Sequence, residues 1–193
     1  FLGKRGRPDI NPAIIFLSSR VKIPNEGELE TEDTQVLKWY VDAAFAVHED
    51  MKSHTGAVFT LGKGALISDS NKQKVNSRSS TEAELNGIDD KISKILWTKR
   101  FIESQGFVVN LTIIYQDNKS TIKLAENGKA SSSRRTRHFD IKLFYVTDLI
   151  GRDEVTVQYC PTDEMISDYN TKPVVGRKFH FFRNQIMNLK RGT

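Results

Sequence analysis

Val36-Leu37-Lys38-Trp39-Tyr40-Val41-Asp42-Ala43-Ala44-Phe45-Ala46-Val47 is rich in β-branched and aromatic residues and reads as a strand over 36–47. Two more strand signals follow at hairpin spacing: 55–61, after a turn near Lys52-Ser53-His54, and 65–68, after Gly62-Lys63-Gly64. Three strands in succession predict an antiparallel meander. Asp42 stands inside the first of them, and a carboxylate among apolar strand residues is costly to bury without a partner. An outward-facing or edge position is its plainer reading.

Downstream of the meander the period changes. Leu85, Ile88, Ile92, Ile95, Leu96 and Ile102 fall on one face of a helix expected over 80–105. Ser79 and Glu82 fit a capping box at its start, and Gly106 stops it. A strand over 110–115, a helix over 120–126 closed by Gly128, and a helix over 138–149 closed by Gly151 come next. A strand over 154–160 leads to a helix after Pro161, interrupted near Pro173, and to a further helical stretch over 177–189. The order predicts an α/β fold: a mixed five-stranded sheet, three antiparallel strands then helix-linked strands, with helices on both faces.

Upstream, 1–29 holds one short apolar stretch (Ala13 to Leu17) and three of the five prolines, and 25–34 is acidic and reads as a linker. The expected organisation is a segment 1–34 followed by a domain 35–193. The first residue is Phe, which suggests a fragment or a processed product.

At 193 residues, with 38% apolar and 27% charged content, the chain can bury a core. No apolar run of about 18 residues is present, so no membrane-spanning helix is expected. The single cysteine, Cys160, excludes an internal disulfide framework and any zinc site needing two cysteines, and reads as a buried strand residue. A net charge of +5 mildly favours a polyanionic partner. Arg134, Arg135 and Arg137 form one basic cluster, with others at Lys4, Arg5 and Arg7 and at Lys190 and Arg191.

Four acids stand where this order of elements would bring them together. Glu84 lies nearer the apolar stripe of its helix than Glu82, which already has a capping role; a solvent-facing border position is its other reading. Asp117 ends an apolar strand just before a helix, a usual address for a functional group, although Asp117, Asn118 and Ser120 could each be the N-cap. Asp168 sits one or two turns into the expected last helix, too far along to serve its dipole; plain exposure is the alternative. Together with Asp42 they form the oxygen-rich set that cleavage of a phosphodiester by two metal ions requires. Gathering four carboxylates without metal would be strongly unfavourable.

Ser79-Ser80-Thr81-Glu82-Ala83-Glu84, Tyr115-Gln116-Asp117-Asn118-Lys119-Ser120, Arg135-Thr136-Arg137-His138-Phe139-Asp140-Ile141 and the run Pro161-Thr162 to Thr171-Lys172-Pro173 resemble, in order and spacing, the motifs of the ribonuclease H domains of copia-type retrotransposon Pol polyproteins. The resemblance covers about 36–189. It implies the ribonuclease H-like fold and metal-dependent hydrolysis of the RNA strand of RNA–DNA hybrids during reverse transcription. The catalytic and metal-holding acids would be Asp42, Glu84, Asp117 and Asp168. Two Mg²⁺ ions, with Mn²⁺ as a substitute, would serve as cofactors: Asp42 bridging both, Glu84 and Asp117 holding one, Asp168 the other. Arg134, Arg135, Arg137, His138 and Asn118 would contact the hybrid, and the 2′-hydroxyl would mark the RNA strand. The implied partners are the hybrid and the reverse transcriptase part of the same polyprotein, in the cytoplasm, the nucleus or virus-like particles, with no membrane involved.

Lys4-Arg5-Gly6-Arg7-Pro8-Asp9-Ile10 resembles the end of the family's reverse transcriptase, which makes 1–34 a shortened remnant; no Y-x-D-D polymerase motif is visible. Where the family often has Ala, Ser167 stands, and Asn170 replaces an aromatic or aliphatic residue. The loop Pro161-Thr162-Asp163 lacks the histidine many ribonucleases H place before the last helix. His138 is a candidate substitute, with a capping or core-edge role as its other reading. The competing function is a decayed or domesticated fragment that binds nucleic acid or a protein without cutting. A structural module of the connection-domain type is disfavoured by the intact acids.

Overall fold

The computed structural model describes residues 35–62, 64–128 and 137–189. The segment 1–34, read above as a reverse transcriptase remnant and linker, lies outside the described residues. The first three strands are β1 (Val36–Ala44), β2 (His54–Thr60) and β3 (Ala65–Lys72). They form the expected meander, β1 antiparallel to β2 and β2 to β3. The long helix α1 (Ser80–Ser104) then leads to β4 (Leu111–Gln116), α2 (Lys119–Asn127), α3 (Arg137–Gly151) and β5 (Thr156–Tyr159). A short 3-10 turn, Ile166–Asn170, precedes α4 (Gly176–Ile186). The five strands make one sheet in the order β3-β2-β1-β4-β5. β4 is parallel to both β1 and β5.

The alternation of β1 divides the molecule into two layers of packing. Leu37, Trp39 and Val41 point to one face, where they meet Ile88, Ile92 and Ile95 of α1, Ile122 of α2 and Val146 of α3 in the main core. Trp39 is fully buried and stacks on Phe59, ring centroids 4.9 Å apart. On the other face Tyr40 and Val58 pack with Ile166 of the 3-10 turn and Phe182 of α4. Helical segments therefore cover both faces.

Several boundaries differ from the sequence reading, each for a local reason. β1 stops at Ala44 because Ala46 takes a left-handed φ of 53°, which ends extended pairing. β3 runs on to Lys72 through polar residues. Their two faces have separate partners: Asp69 bonds to Lys91 and Lys94 of α1, while Ser68 and Ser70 bond to Asn170. β5 is confined to the four residues that pair with β4. The helix expected immediately after Pro161 is only the 3-10 turn, so Asp168 does not sit on a regular α-helix. The capping box at α1 forms in modified shape. Ser79 Oγ accepts from the Glu82 amide at 3.1 Å, but the Glu82 carboxylate reaches back to the amide of Arg78.

Candidate metal centre

Strand geometry brings the first two acids together. In the parallel pair β1 and β4, Tyr40 lies opposite Tyr115 and their rings stack with centroids 4.7 Å apart. Side chains on one face recur every second residue. The next positions on that face are Asp42 and Asp117, at the C-terminal ends of the two strands. Asp168 arrives on the 3-10 turn, which lies on the same face. One carboxylate oxygen from each of Asp42, Asp117 and Asp168 lies within 4.8 Å of the others. Asp42 and Asp168 are 1% and 2% exposed, whereas Asp117 is half-buried.

Glu84 is placed differently. It is buried near the start of α1, and its Oε2 accepts from Gln116 Nε2 at 3.1 Å. The same Gln116 amide donates to the carbonyl of Val41, and its Oε1 accepts from the backbone N–H of Asn118. Gln116 thus ties Glu84 to β1 beside Asp42, but Glu84 stands outside the three-acid group. Burial, then the neighbouring charge of Asp42, raises its carboxyl well above the usual range. Burial likewise raises Asp42, against the lowering effects of Lys172 and the Thr171 hydroxyl.

Hydroxyls and amines complete the cluster. Thr171 Oγ1 donates to Asp42 Oδ2 and Thr162 Oγ1 donates to Asp117 Oδ2. Lys172 Nζ lies 2.7 Å from Asp168 Oδ1 and 3.4 Å from Asp42 Oδ2, and Lys178 Nζ lies 3.3 Å from Asp168 Oδ2. None of Gln116, Thr162, Thr171, Lys172 or Lys178 is assigned a role by the sequence reading. Gln116, Thr162, Thr171 and Lys172 lie within the quoted motifs, which was the available signal; Lys178 lies beyond them.

The donor set is oxygen only, from three carboxylates, two of them buried. That suits a hard divalent cation of the Mg²⁺ type better than a nitrogen- or sulfur-seeking metal. Asn118, not Asp117, caps α2: its Oδ1 accepts from the amides of Ser120 and Thr121, which leaves Asp117 free for the cluster. Arg134 and Arg135 lie outside the described residues, and Arg137 and His138 are described only as the first two residues of α3. Cys160 is buried as expected, and burial pushes its thiol up to about 11, so it remains protonated at neutral pH. Among the described residues, no helix is long and apolar enough to cross a membrane.

The sheet order and the acids at the strand ends define a ribonuclease H-like domain. A ribonuclease H1 isolated from compost by a metagenomic approach has the same fold, with a TM-score of 0.52 at 11% identity over 71% of this chain and 93% of its own. By sequence, the chain is related to the retrovirus-related Pol polyproteins of transposons. It is 31% identical over 152 residues to that of transposon TNT 1-94 of Nicotiana tabacum, which is 78% of this chain and 11% of the relative. It is 28% identical over 204 residues to that of transposon RE1 of Arabidopsis thaliana, 93% of this chain and 14% of the relative. The chain thus spans only a small part of the length of the relatives it matches. No protein-family profile matches it.

Proposed function

We propose that this chain is the ribonuclease H domain of a copia-type retrotransposon Pol polyprotein and hydrolyses the RNA strand of RNA–DNA hybrids with Mg²⁺, Mn²⁺ serving in its place. The observation that carries the reading is the approach of Asp42, Asp117 and Asp168 to within 4.8 Å at the ends of β1 and β4. Asp42, Asp117 and Asp168 hold the metal, with Glu84 beside them on the α1 side. Bound divalent cations supply the Lewis acidity for in-line attack of water on phosphorus. Gln116 orients Glu84, and the Thr162 and Thr171 hydroxyls fix the rotamers of Asp117 and Asp42. Arg134, Arg135, Arg137, His138 and Asn118 contact the hybrid, with the arginines on its phosphates. The segment 1–34 is the end of the reverse transcriptase and a linker, and the remainder of that enzyme is the partner in the polyprotein.

A second reading, a fragment that binds nucleic acid or a protein without cutting, is favoured by one observation. Lys172 and Lys178 pair with Asp42 and Asp168 and offset their charge. Hybrid cleavage by wild type, compared with that of Asp42→Asn, separates the two. The expected result is cleavage by wild type and its loss in the variant, with a cooperative melting transition retained. Cleavage that survives in purified Asp42→Asn protein contradicts the proposed site.

A further inference from the structure

Asp42 and Asp168 are almost wholly buried and close together, an arrangement that two ionised carboxylates resist. The chain supplies its own remedy one helical turn after Asp168. The Lys172 amide donates to the Asp168 carbonyl at 3.0 Å, which folds the residue back over the acid it follows. Its Nζ then reaches an oxygen of each aspartate, at 2.7 Å and 3.4 Å. Among the described residues, both ion pairs of this ammonium are with carboxylates of the three-acid group. Its side chain is 41% exposed, so it enters from the solvent side and has a way out. Lys178 differs. It touches Asp168 but also bonds to the Thr162 carbonyl, lies over the ring of Phe182, and faces the exposed Asp163.

We propose that Lys172 is a built-in counter-ion that occupies a cation position between Asp42 and Asp168 and leaves it when a divalent metal binds. Metal uptake is then an exchange of one cation for another. This rests on reading the acid cluster as a metal centre. A divalent cation held by these carboxylates would need the oxygens that the ammonium holds. An ammonium at hydrogen-bond distance from the same oxygens competes for their lone pairs and repels the ion at close range. The metal must therefore displace a charge already in place on both aspartates.

The test uses Mn²⁺ as the probe and does not depend on turnover. Calorimetric titration compares wild type with Lys172→Met, which keeps the aliphatic stem and removes the charge. The variant is expected to bind Mn²⁺ about tenfold more tightly or better. It should melt below wild type in EDTA, and the deficit should shrink at saturating Mn²⁺. Equal or weaker binding by the variant overturns the proposal while leaving the metal centre standing. If neither protein binds Mn²⁺, the metal-centre reading fails and takes the proposal with it. Trace acetylation of wild type, read by mass spectrometry, covers the case of a variant that does not fold. Lys172 should label faster with Mn²⁺ than in EDTA while Lys178 changes little. Labelling of Lys172 that ignores Mn²⁺ overturns the exchange.

Discussion

Ser167 is fully buried beside Asp168, and its hydroxyl has no hydrogen-bond partner among the described residues. A buried polar group left unsatisfied costs about 1–3 kcal/mol. Ser167→Ala removes that group and leaves a void of only one atom, so it should stabilise the domain by about 1 kcal/mol. Urea unfolding of the two proteins checks this, and a lowered midpoint in the variant contradicts it. Asn170, the neighbouring departure from the family motif, has the opposite character: its amide bonds to the Ala57 carbonyl and the Ser68 hydroxyl. Identity at single positions was partly legible. Glu82 and Glu84 separate in the sequence because a capping box claims one of them, and the structure buries the other. The cap of α2 was open among Asp117, Asn118 and Ser120, since all three side chains can accept an amide bond. Lys172 was not legible as a site residue: the i,i+4 spacing from Asp168 suggests an ion pair, but only the finished fold brings the same ammonium to Asp42.

At the scale of elements, the meander was readable from β-branched and aromatic runs at hairpin spacing, and α1 from apolar residues that repeat with the helical period. The segment carrying Asp168 was not. Its backbone keeps a few short local bonds, such as the Asp168 amide to the Met165 carbonyl, while Asn170 bonds outward to β2 and β3, and that tertiary anchoring accompanies a 3-10 turn in place of the α-helix that local pattern suggested. The close seat depends on Gly56, which pairs with Asp42 across β1 and β2. A Cβ there would lie 2.6 Å from Thr171 Cγ2 and 2.7 Å from the Ser167 carbonyl oxygen. A carbonyl cannot give way as a flexible side chain can, so the turn must shift. Gly56→Ala should destabilise the domain by roughly 1–3 kcal/mol, in the range of overpacked cores. It should also reduce the rise in melting temperature that Mn²⁺ produces, because Asp168 moves with the turn. A variant that melts like wild type with and without Mn²⁺ contradicts this account of the turn.

At the scale of the whole molecule, polar ties lock the edge of the sheet to α1. Asp69 on β3 bonds to Lys94 at 2.8 Å and to the nearly buried Lys91 at 3.3 Å. Burial pushes the Asp69 carboxyl up, but the two lysines outweigh it and hold it below its ordinary value of 3.8. A carboxyl depressed by folding contributes stability that is fully present above its unfolded value and is lost as pH falls through its folded value. Wild type should therefore exceed Asp69→Asn in stability at neutral pH, and the gap should close below about pH 3.8. Denaturant unfolding across pH 2–7 measures it; a gap independent of pH contradicts the ion-pair account. The general architecture was legible from the order of strands and helices. The polar ties were not, because they join residues 22 and 25 positions apart whose facing depends on the finished fold.

The central claim is that three acids gathered at the strand ends make a metal-dependent nuclease for RNA–DNA hybrids. Cleavage of a hybrid labelled separately on each strand, with Mg²⁺, with Mn²⁺ and with EDTA, tests it most directly. The account predicts cutting of the RNA strand alone, with either metal and not with chelator. A folded protein that leaves the hybrid intact under all three conditions contradicts it.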